Sequence, residues 1–167
     1  MRFLERRAAL IVAGFSCLYF AGTSGRASQK LLWHDELFTL YLARLPTLAD
    51  VWAAIATPVD GTPPLFHALT RASVGIFGEG LVALRLPSIL AFLLGCVCLY
   101  RFVRRRYGPL YGLVAFVLPI ATNASLYAYE ARAYGVVFGL AGVSLACWQS
   151  AADGDRRRVS LGLLFLR

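Results

Sequence analysis

Residues 81–103 read LVALRLPSILAFLLGCVCLYRFV, and Arg104-Arg105-Arg106 follow directly. The stretch contains two charged residues, Arg85 and Arg101, and each lies within five residues of one end. A helix of this length is about 34 Å long, whereas the hydrocarbon core of a bilayer is roughly 30 Å thick. The stretch therefore predicts a transmembrane helix rather than the core helix of a soluble domain.

Three further apolar runs have the same character, and they comprise residues 8–23, 109–127 and 133–148. The whole chain is 59% apolar and 16% charged, whereas soluble domains have about a quarter of their residues charged. These features predict an all-α fold, a polytopic transmembrane helical bundle. Residues 159–166 resemble the first half of another span, so we expect residues 1–167 to be the N-terminal part of one longer membrane domain.

The net charge of +8 does not indicate nucleic-acid binding, because ten of the 17 basic residues lie beside the apolar runs. They form three clusters, which are Arg2, Arg6 and Arg7; Arg101 with Arg104, Arg105 and Arg106; and Arg156, Arg157 and Arg158. The positive-inside rule places all three clusters in the cytoplasm, provided that residues 63–77 do not cross the membrane. We therefore expect a bacterial inner-membrane protein with a cytoplasmic N-terminus and a large first external loop at residues 24–80.

The external loop carries signals for short interfacial helices. Apolar residues with helical spacing follow Trp33-His34-Asp35-Glu36 and stop at Pro46. Thr47 and Asp50 form a capping-box pattern for a helix at residues 48–56, and Asp60-Gly61 is a turn signal.

A third apolar stretch in the loop, residues 63–77, is about 22 Å long as a helix, too short to span, and Thr62 is placed to cap it. His67 and Arg71 share one face of this helix. They would either face water and lipid headgroups or contact an anionic headgroup of a substrate.

The ionisable residues at the outer ends of the spans have two interpretations each. Asp35 fits a helix N-cap and Glu36 the positive end of a helix dipole, but a carboxylate beside a membrane surface is also suited to act as a general base. Arg85 lies near the outer end of a span and therefore needs a partner or an anion. Glu130 and Arg132 could pair locally or bind substrate.

Four short motifs occur in order relative to the spans, and they are Asp35-Glu36, Gly61-Thr62-Pro63-Pro64-Leu65, Arg85-Leu86-Pro87-Ser88 and Glu130-Ala131-Arg132-Ala133-Tyr134. In this order they resemble the start of GT-C class membrane glycosyltransferases. The closest resemblance is to glycosyltransferase family 39, which includes protein O-mannosyltransferases and lipid A aminoarabinose transferases. Many relatives have His-Pro-Pro at the position of Thr62-Pro63-Pro64, so a role carried by that His does not transfer directly, although His67 lies about one turn later.

The resemblance implies a sugar donor linked through phosphate to a polyprenyl lipid, with inverting transfer to the hydroxyl of a glycan, lipid or protein acceptor. Asp35 would be the general base and Glu36 its support. Arg85, with Arg71 or Arg132, would hold the lipid phosphate.

Two other functional classes are alternatives for such a chain, a transporter component and a non-catalytic or degenerate assembly protein. Transport predicts ionisable residues near mid-membrane, whereas the spans here have charge only near their ends. No cofactor and no metal motif are indicated, although Asp35 with a second carboxylate would suit a hard divalent cation. The four cysteines lie in apolar runs and are expected to be small buried hydrophobic residues.

Overall fold

The computed structural model describes residues 2–56 and 62–153, and within these residues it contains helices and no strand. The helices are α1 Arg2–Gln29, α2 His34–Ala43, α3 Leu48–Ile55, α4 Pro64–Phe77, α5 Leu81–Tyr107, α6 Pro109–Ala121, a 3₁₀ helix Asn123–Tyr129, and α7 Tyr134–Ala152. By length and composition α1, α5 and α7 can cross a membrane, and α6 with the 3₁₀ helix would make a fourth span. The predicted all-α, polytopic class is confirmed. The predicted turn at Asp60-Gly61 and the apolar run 159–166 lie outside the described residues.

Helix α5 is central, because it packs against α1, α4, α6 and α7. It contains Pro87, which has no N–H to donate to the carbonyl of Ala83 one turn earlier. The hydroxyl of Ser73 on α4 donates to that carbonyl instead, at 2.6 Å. The proline is therefore tolerated inside a long apolar helix, since a side chain from α4 supplies the hydrogen bond that the proline cannot donate.

Helix α7 approaches α5 through three glycines, Gly135, Gly139 and Gly142. A Cβ added at Gly139 would lie 2.4 Å from the carbonyl oxygen of Ala91 on α5, closer than van der Waals contact allows. Small residues at four-residue spacing allow membrane helices to pack closely, because apolar burial gives little driving force in lipid. These three residues, the glycine seam, set the distance between α5 and α7.

The first span extends further than the sequence indicated. The apolar pattern predicts that it ends at residue 23 and that the external loop begins at residue 24, but α1 continues to Gln29. Residues 24–29 contain no proline, and Ala27 is completely buried. The extra turns are therefore part of the packed fold, and the loop between spans is shorter than expected.

The predicted span 109–127 is wrong as one continuous helix. Helix α6 ends at Ala121, Thr122 is extended, and the 3₁₀ helix continues at an angle of 70°. Pro119 lies just before the break and removes one backbone donor from the last turn of α6. The bend brings residues 130–132 close to the end of α1 and the start of α5.

The three short helices predicted between residues 33 and 77 are present as α2, α3 and α4, and their interfacial location stays a prediction. The capping box of α3 is confirmed, since the Asp50 amide donates to the Thr47 hydroxyl at 3.1 Å and the Thr47 amide donates to the Asp50 carboxylate at 3.0 Å. Two predicted caps are wrong. Helix α2 begins at His34 with Trp33 as its N-cap residue, not Asp35, and α4 begins at Pro64 with Pro63 as its N-cap residue, not Thr62.

Candidate active site

A buried ion pair joins α2 to the start of α5, at the end of the bundle where α1 ends. Arg85 donates to both carboxylate oxygens of Glu36, from Nε at 2.8 Å and from Nη2 at 2.7 Å. Neither residue has any exposed surface. Bidentate geometry of this kind is the strongest form of the Arg–carboxylate interaction, and it offsets the cost of burying two charges.

The remaining donors of Arg85 bind backbone carbonyls at the end of α1. Its Nη1 donates to Ala27 O at 2.5 Å and to Lys30 O at 2.8 Å, and its Nη2 donates to Leu31 O at 3.2 Å. A cation at a helix C-terminus satisfies carbonyls that lack partners within the helix and suits the helix dipole. All five N–H donors of Arg85 are thus engaged by protein acceptors. This arrangement favours a positioning role for Arg85 over direct contact with a lipid phosphate.

Glu36 is also held by two backbone amides. Ala131 N donates to its Oε1 at 2.6 Å and Trp33 N donates to its Oε2 at 3.1 Å. Burial opposes ionisation, but the hydrogen bonds from Arg85, Ala131 and Trp33 outweigh it and hold the pKa of the Glu36 carboxyl below its usual value. These contacts therefore favour the charged form of the Glu36 carboxyl.

The segment 130–132 is hydrogen-bonded to α2 through both the amide and the carbonyl of Ala131. Besides the Ala131 amide bond to Glu36, the hydroxyl of Thr39 donates to Ala131 O at 3.1 Å. The local pair that the sequence suggested between Glu130 and Arg132 is wrong, because each finds a distant partner. Glu130 binds Lys30 at 2.6 Å, and Arg132 forms an ion pair with Asp35.

Asp35 and Arg132 line a pocket of about 390 Å³ between α2, the start of α4 and the start of α7. Thr62 and Pro63 form another wall, and Tyr134 lies beside Arg132, whose guanidinium carbon is 5.6 Å from the ring centroid. The Asp35 side chain is 55% exposed and that of Arg132 is 35% exposed. Residues of three of the four sequence motifs therefore line one open pocket. The fourth motif contributes Arg85, which does not line the pocket but binds Glu36, the neighbour of Asp35.

His67 and Arg71 do not line this pocket. His67 is buried, with its ring edge against Phe66, so the expectation that it faces water or headgroups is wrong. Arg71 donates to the carbonyls of Leu45 and, at 2.6 Å, of Pro46, just beyond the end of α2. It joins α4 to α2 and so helps to hold the two walls of the pocket together.

The described residues contain no group of three or more His, Cys, Asp or Glu side chains that could hold a metal ion. Asp35 instead has a cation, Arg132, as its neighbour. The residues that sequence reasoning missed are Lys30, Thr39 and the backbone of Ala131. Lys30 could have been noticed as a cation at the end of the first span, whereas a backbone amide carries no signal in a sequence.

Comparison with known proteins gives one match. A family model described as dolichyl-phosphate-mannose-protein mannosyltransferase matches residues 61–165, which is 105 of the 167 residues. No curated protein and no solved structure matches the chain. The matched region includes Thr62, Arg85 and Arg132, but it begins after Asp35 and Glu36.

Proposed function

The chain belongs to the dolichyl-phosphate-mannose-protein mannosyltransferase family of GT-C type membrane glycosyltransferases, and on that premise we propose that it transfers a sugar from a polyprenyl-phosphate-linked donor to an acceptor hydroxyl at the outer membrane face. The observation that carries the proposal is the pocket in which Asp35 faces Arg132. One group can accept a proton and the other can bind a phosphate. Both are needed for transfer from a phosphate-linked sugar.

Asp35 is the general base of the proposed reaction. It lies on the first turn of α2 and is half exposed to the pocket, so an acceptor hydroxyl can reach its carboxylate. The hydroxyl oxygen forms the new bond to the anomeric carbon while the bond from that carbon to the phosphate oxygen breaks. The hydroxyl proton passes to Asp35, and the bonding electron pair leaves with the lipid phosphate. A single displacement of this kind inverts the anomeric configuration.

Arg132 is the proposed phosphate ligand, because it is the pocket's guanidinium and has exposed surface. Negative charge grows on the lipid phosphate as the sugar leaves, and a fixed guanidinium stabilises that charge. A bound phosphate competes with Asp35 for Arg132. Binding of the donor therefore frees the Asp35 carboxylate to accept the proton, which couples donor binding to activation of the base.

Glu36 and Arg85 act as positioning residues in this proposal. Glu36 follows Asp35 on α2 and binds the amide of Ala131, the residue before Arg132. The pair thus fixes the backbone on both sides of the pocket, so that Asp35 and Arg132 face each other. Proton transfer needs hydrogen-bond distances, and small displacements of the reacting groups lower the rate strongly.

The membrane location fits a donor with a lipid tail. The pocket lies at the outer ends of the spans, under the orientation expected from the Arg clusters, so the tail can stay in the bilayer while the head enters the pocket. The short helices α2, α3 and α4 cover that end of the bundle. The acceptor hydroxyl would come from the aqueous side, and the sugar and acceptor identities are left open.

The substitution Asp35→Asn tests the proposal. In membranes that contain the protein and a radiolabelled polyprenyl-phosphate mannose donor, the variant should lose about 100-fold or more in the rate of sugar transfer, since a general base contributes on that order. Glu79→Gln is the matched control. Glu79 is also a half-exposed carboxylate, 53% exposed and paired with Arg44, but it lies outside the pocket.

The control should keep near-normal transfer, and both variants should reach the membrane in equal amounts by immunoblot. Near-normal transfer by Asp35→Asn would rule out Asp35 as the base. Equal losses in the two variants would indicate a general electrostatic effect of the outer surface rather than catalysis at the pocket.

A further inference from the structure

A second polar pocket lies at the other end of the helix pair that forms the glycine seam. It has a volume of about 180 Å³ and opens between α5 and α7. We call it the arginine pocket, and its polar lining consists of Arg101, Arg105, Gln149 and Ser150, with the thiols of Cys98 and Cys147. Arg101 and Arg105 are one helical turn apart and therefore project from the same face of α5.

The walls of the arginine pocket are fixed by polar contacts between the two helices. Arg105 donates to the hydroxyl of Ser150 at 3.2 Å, and the amide of Gln149 donates to the backbone carbonyl of Phe102 at 2.9 Å. Gln149 is almost fully buried. A guanidinium held in this way is preorganised, so a ligand that binds it gives up little side-chain freedom in the protein.

The charge around this pocket is strongly positive. The last two turns of α5 contain four Arg, namely Arg101, Arg104, Arg105 and Arg106, and the carboxylate of Asp153 at the end of α7 lies close to two of them. Asp153 lies 3.2 Å from Arg106 and 3.7 Å from Arg105. Its charge is shared between these two residues, and Arg101 lies one turn deeper along the span.

The arginine pocket is remote from the proposed catalytic pocket. Arg101 follows Arg85 by 16 residues on the same helix, which corresponds to about 24 Å along the axis. A donor phosphate bound near Arg132 therefore cannot reach it. Because the hydrocarbon core of a bilayer is about 30 Å thick, we expect a site at this distance along the span from Arg85 to lie near the phospholipid headgroups of the opposite leaflet.

We propose that the arginine pocket binds the phosphate of an anionic glycerophospholipid. Basic pockets between transmembrane helices are suited to anionic headgroups, because two guanidinium groups can share one phosphate while the acyl chains lie along the apolar helix surface. The Ser150 hydroxyl adds a neutral donor beside the charged ones. A bound lipid would bridge α5 and α7 at the end opposite the active site and stabilise their packing.

The first test measures lipid binding by native mass spectrometry of the full chain in detergent. Phosphatidylglycerol should bind more tightly than phosphatidylcholine, and Arg101→Gln and Arg105→Gln should each weaken phosphatidylglycerol binding about fivefold, in line with the usual contribution of a basic residue near anionic lipid. Arg106→Gln is the matched control, because it removes the same charge from the same end of α5 but does not line the pocket.

Several outcomes would overturn the proposal. They are equal binding of the two lipids, unchanged binding in Arg101→Gln and Arg105→Gln, or an equal loss in Arg106→Gln, which would indicate a diffuse surface effect. Inorganic phosphate at millimolar concentration should not displace the lipid, and full displacement would identify the pocket as a site for a free anion instead. A thermal melt of each variant confirms that the protein stays folded.

A second readout uses cysteines already in the chain. Cys147 lines the arginine pocket, whereas Cys17 lies exposed on α1. Phosphatidylglycerol should slow alkylation of Cys147 by N-ethylmaleimide, measured by peptide mass spectrometry, and should leave the alkylation rate of Cys17 unchanged. Equal slowing at both cysteines would mean that the lipid acts on the detergent micelle rather than in the pocket.

Discussion

At the scale of single residues, Glu36 is the point where four segments meet. Its carboxylate contacts Arg85 of α5 and the amides of Trp33 and Ala131, while Arg85 in turn holds the end of α1. Buried charges of this kind are costly to separate, because either partner alone lacks both water and a counter-ion. The site therefore depends on a pair that does no chemistry in the proposed reaction.

We expect Glu36→Gln to lower the free energy of unfolding by about 3–5 kcal/mol, because it leaves the Arg85 guanidinium buried without a counter-charge. Denaturant unfolding in detergent, followed by tryptophan fluorescence, measures the change. Arg44→Gln breaks the exposed ion pair with Glu79 and should cost at most about 1 kcal/mol. If both variants lose the same free energy of unfolding, the buried ion pair contributes no more to stability than the exposed one.

The pH dependence of stability follows from the same carboxylate. The folded pKa of Glu36 lies below the ordinary value of 4.5, so the unfolded chain takes up this proton at higher pH than the folded chain does. The contribution of Glu36 is therefore complete above pH 4.5 and is lost as the pH falls through the lower folded pKa. The stability difference between wild type and Glu36→Gln should shrink below pH 4.5, as measured by unfolding at a series of pH values. A constant difference down to about pH 3 would contradict this assignment.

Individual site residues could be selected from the sequence, but their partners could not. Asp35, Glu36, Arg85 and Arg132 all attract notice because ionisable residues near span ends need an explanation. The partner of Arg85 lies 49 positions away, and the chain offers several carboxylates in the same loop. The choice of Glu36 rather than Asp35 depends on which face of α2 turns inward, and the apolar pattern does not determine the orientation of two adjacent residues.

At the scale of helices, the glycine seam determines how closely α7 can approach α5. We expect Gly139→Ala to destabilise the protein by about 1–3 kcal/mol, because the added Cβ meets the backbone of Ala91 and neither helix can yield without moving the other. Gly14→Ala on α1 is the control, since a Cβ there meets nothing within 4 Å. Thermal unfolding of both variants in detergent measures the effect, and equal stability of the two would mean that α5 and α7 are not held at this distance.

Helix boundaries could be predicted where local chemistry fixes them. The Thr47–Asp50 capping box marks the start of α3 within a few residues, and Pro46 limits α2. The sequence predicts the end of α1 too early, because the hydropathy falls at Ser24 although the helix continues to Gln29. What extends it is Arg85, which binds the carbonyls of Ala27 and Lys30, a contact between residues more than 50 positions apart.

At the scale of the whole molecule, the orientation in the membrane is a prediction from the positions of the Arg clusters. A cysteine introduced at exposed Ala49 on α3 should react with a membrane-impermeant maleimide added to intact cells, because α3 belongs to the proposed external end. A cysteine at Ala152, at the end of α7, should react only after permeabilisation. The reverse pattern would place the proposed active site in the cytoplasm.

The membrane class itself could be predicted from composition, since residues 81–103 alone are long and apolar enough to cross a bilayer. The break after α6 could not. Pro119 is compatible with a kinked but continuous span, and the 70° bend depends on how residues 123–129 pack over α1 and α5. The bend brings Arg132 next to Asp35 on α2. The pocket therefore depends on a break in the helix that the sequence does not predict.

The buried pair of Glu36 and Arg85 has a consequence for how related chains can diverge. Replacing either residue alone leaves an unpaired charge in an apolar interior. Each single substitution at the pair is therefore expected to lower the stability of the fold. Replacement of both residues by neutral residues of similar volume avoids the unpaired charge. Positions 36 and 85 are therefore expected to covary among homologues. A homologue that lacks the carboxylate at position 36 should also lack the guanidinium at position 85.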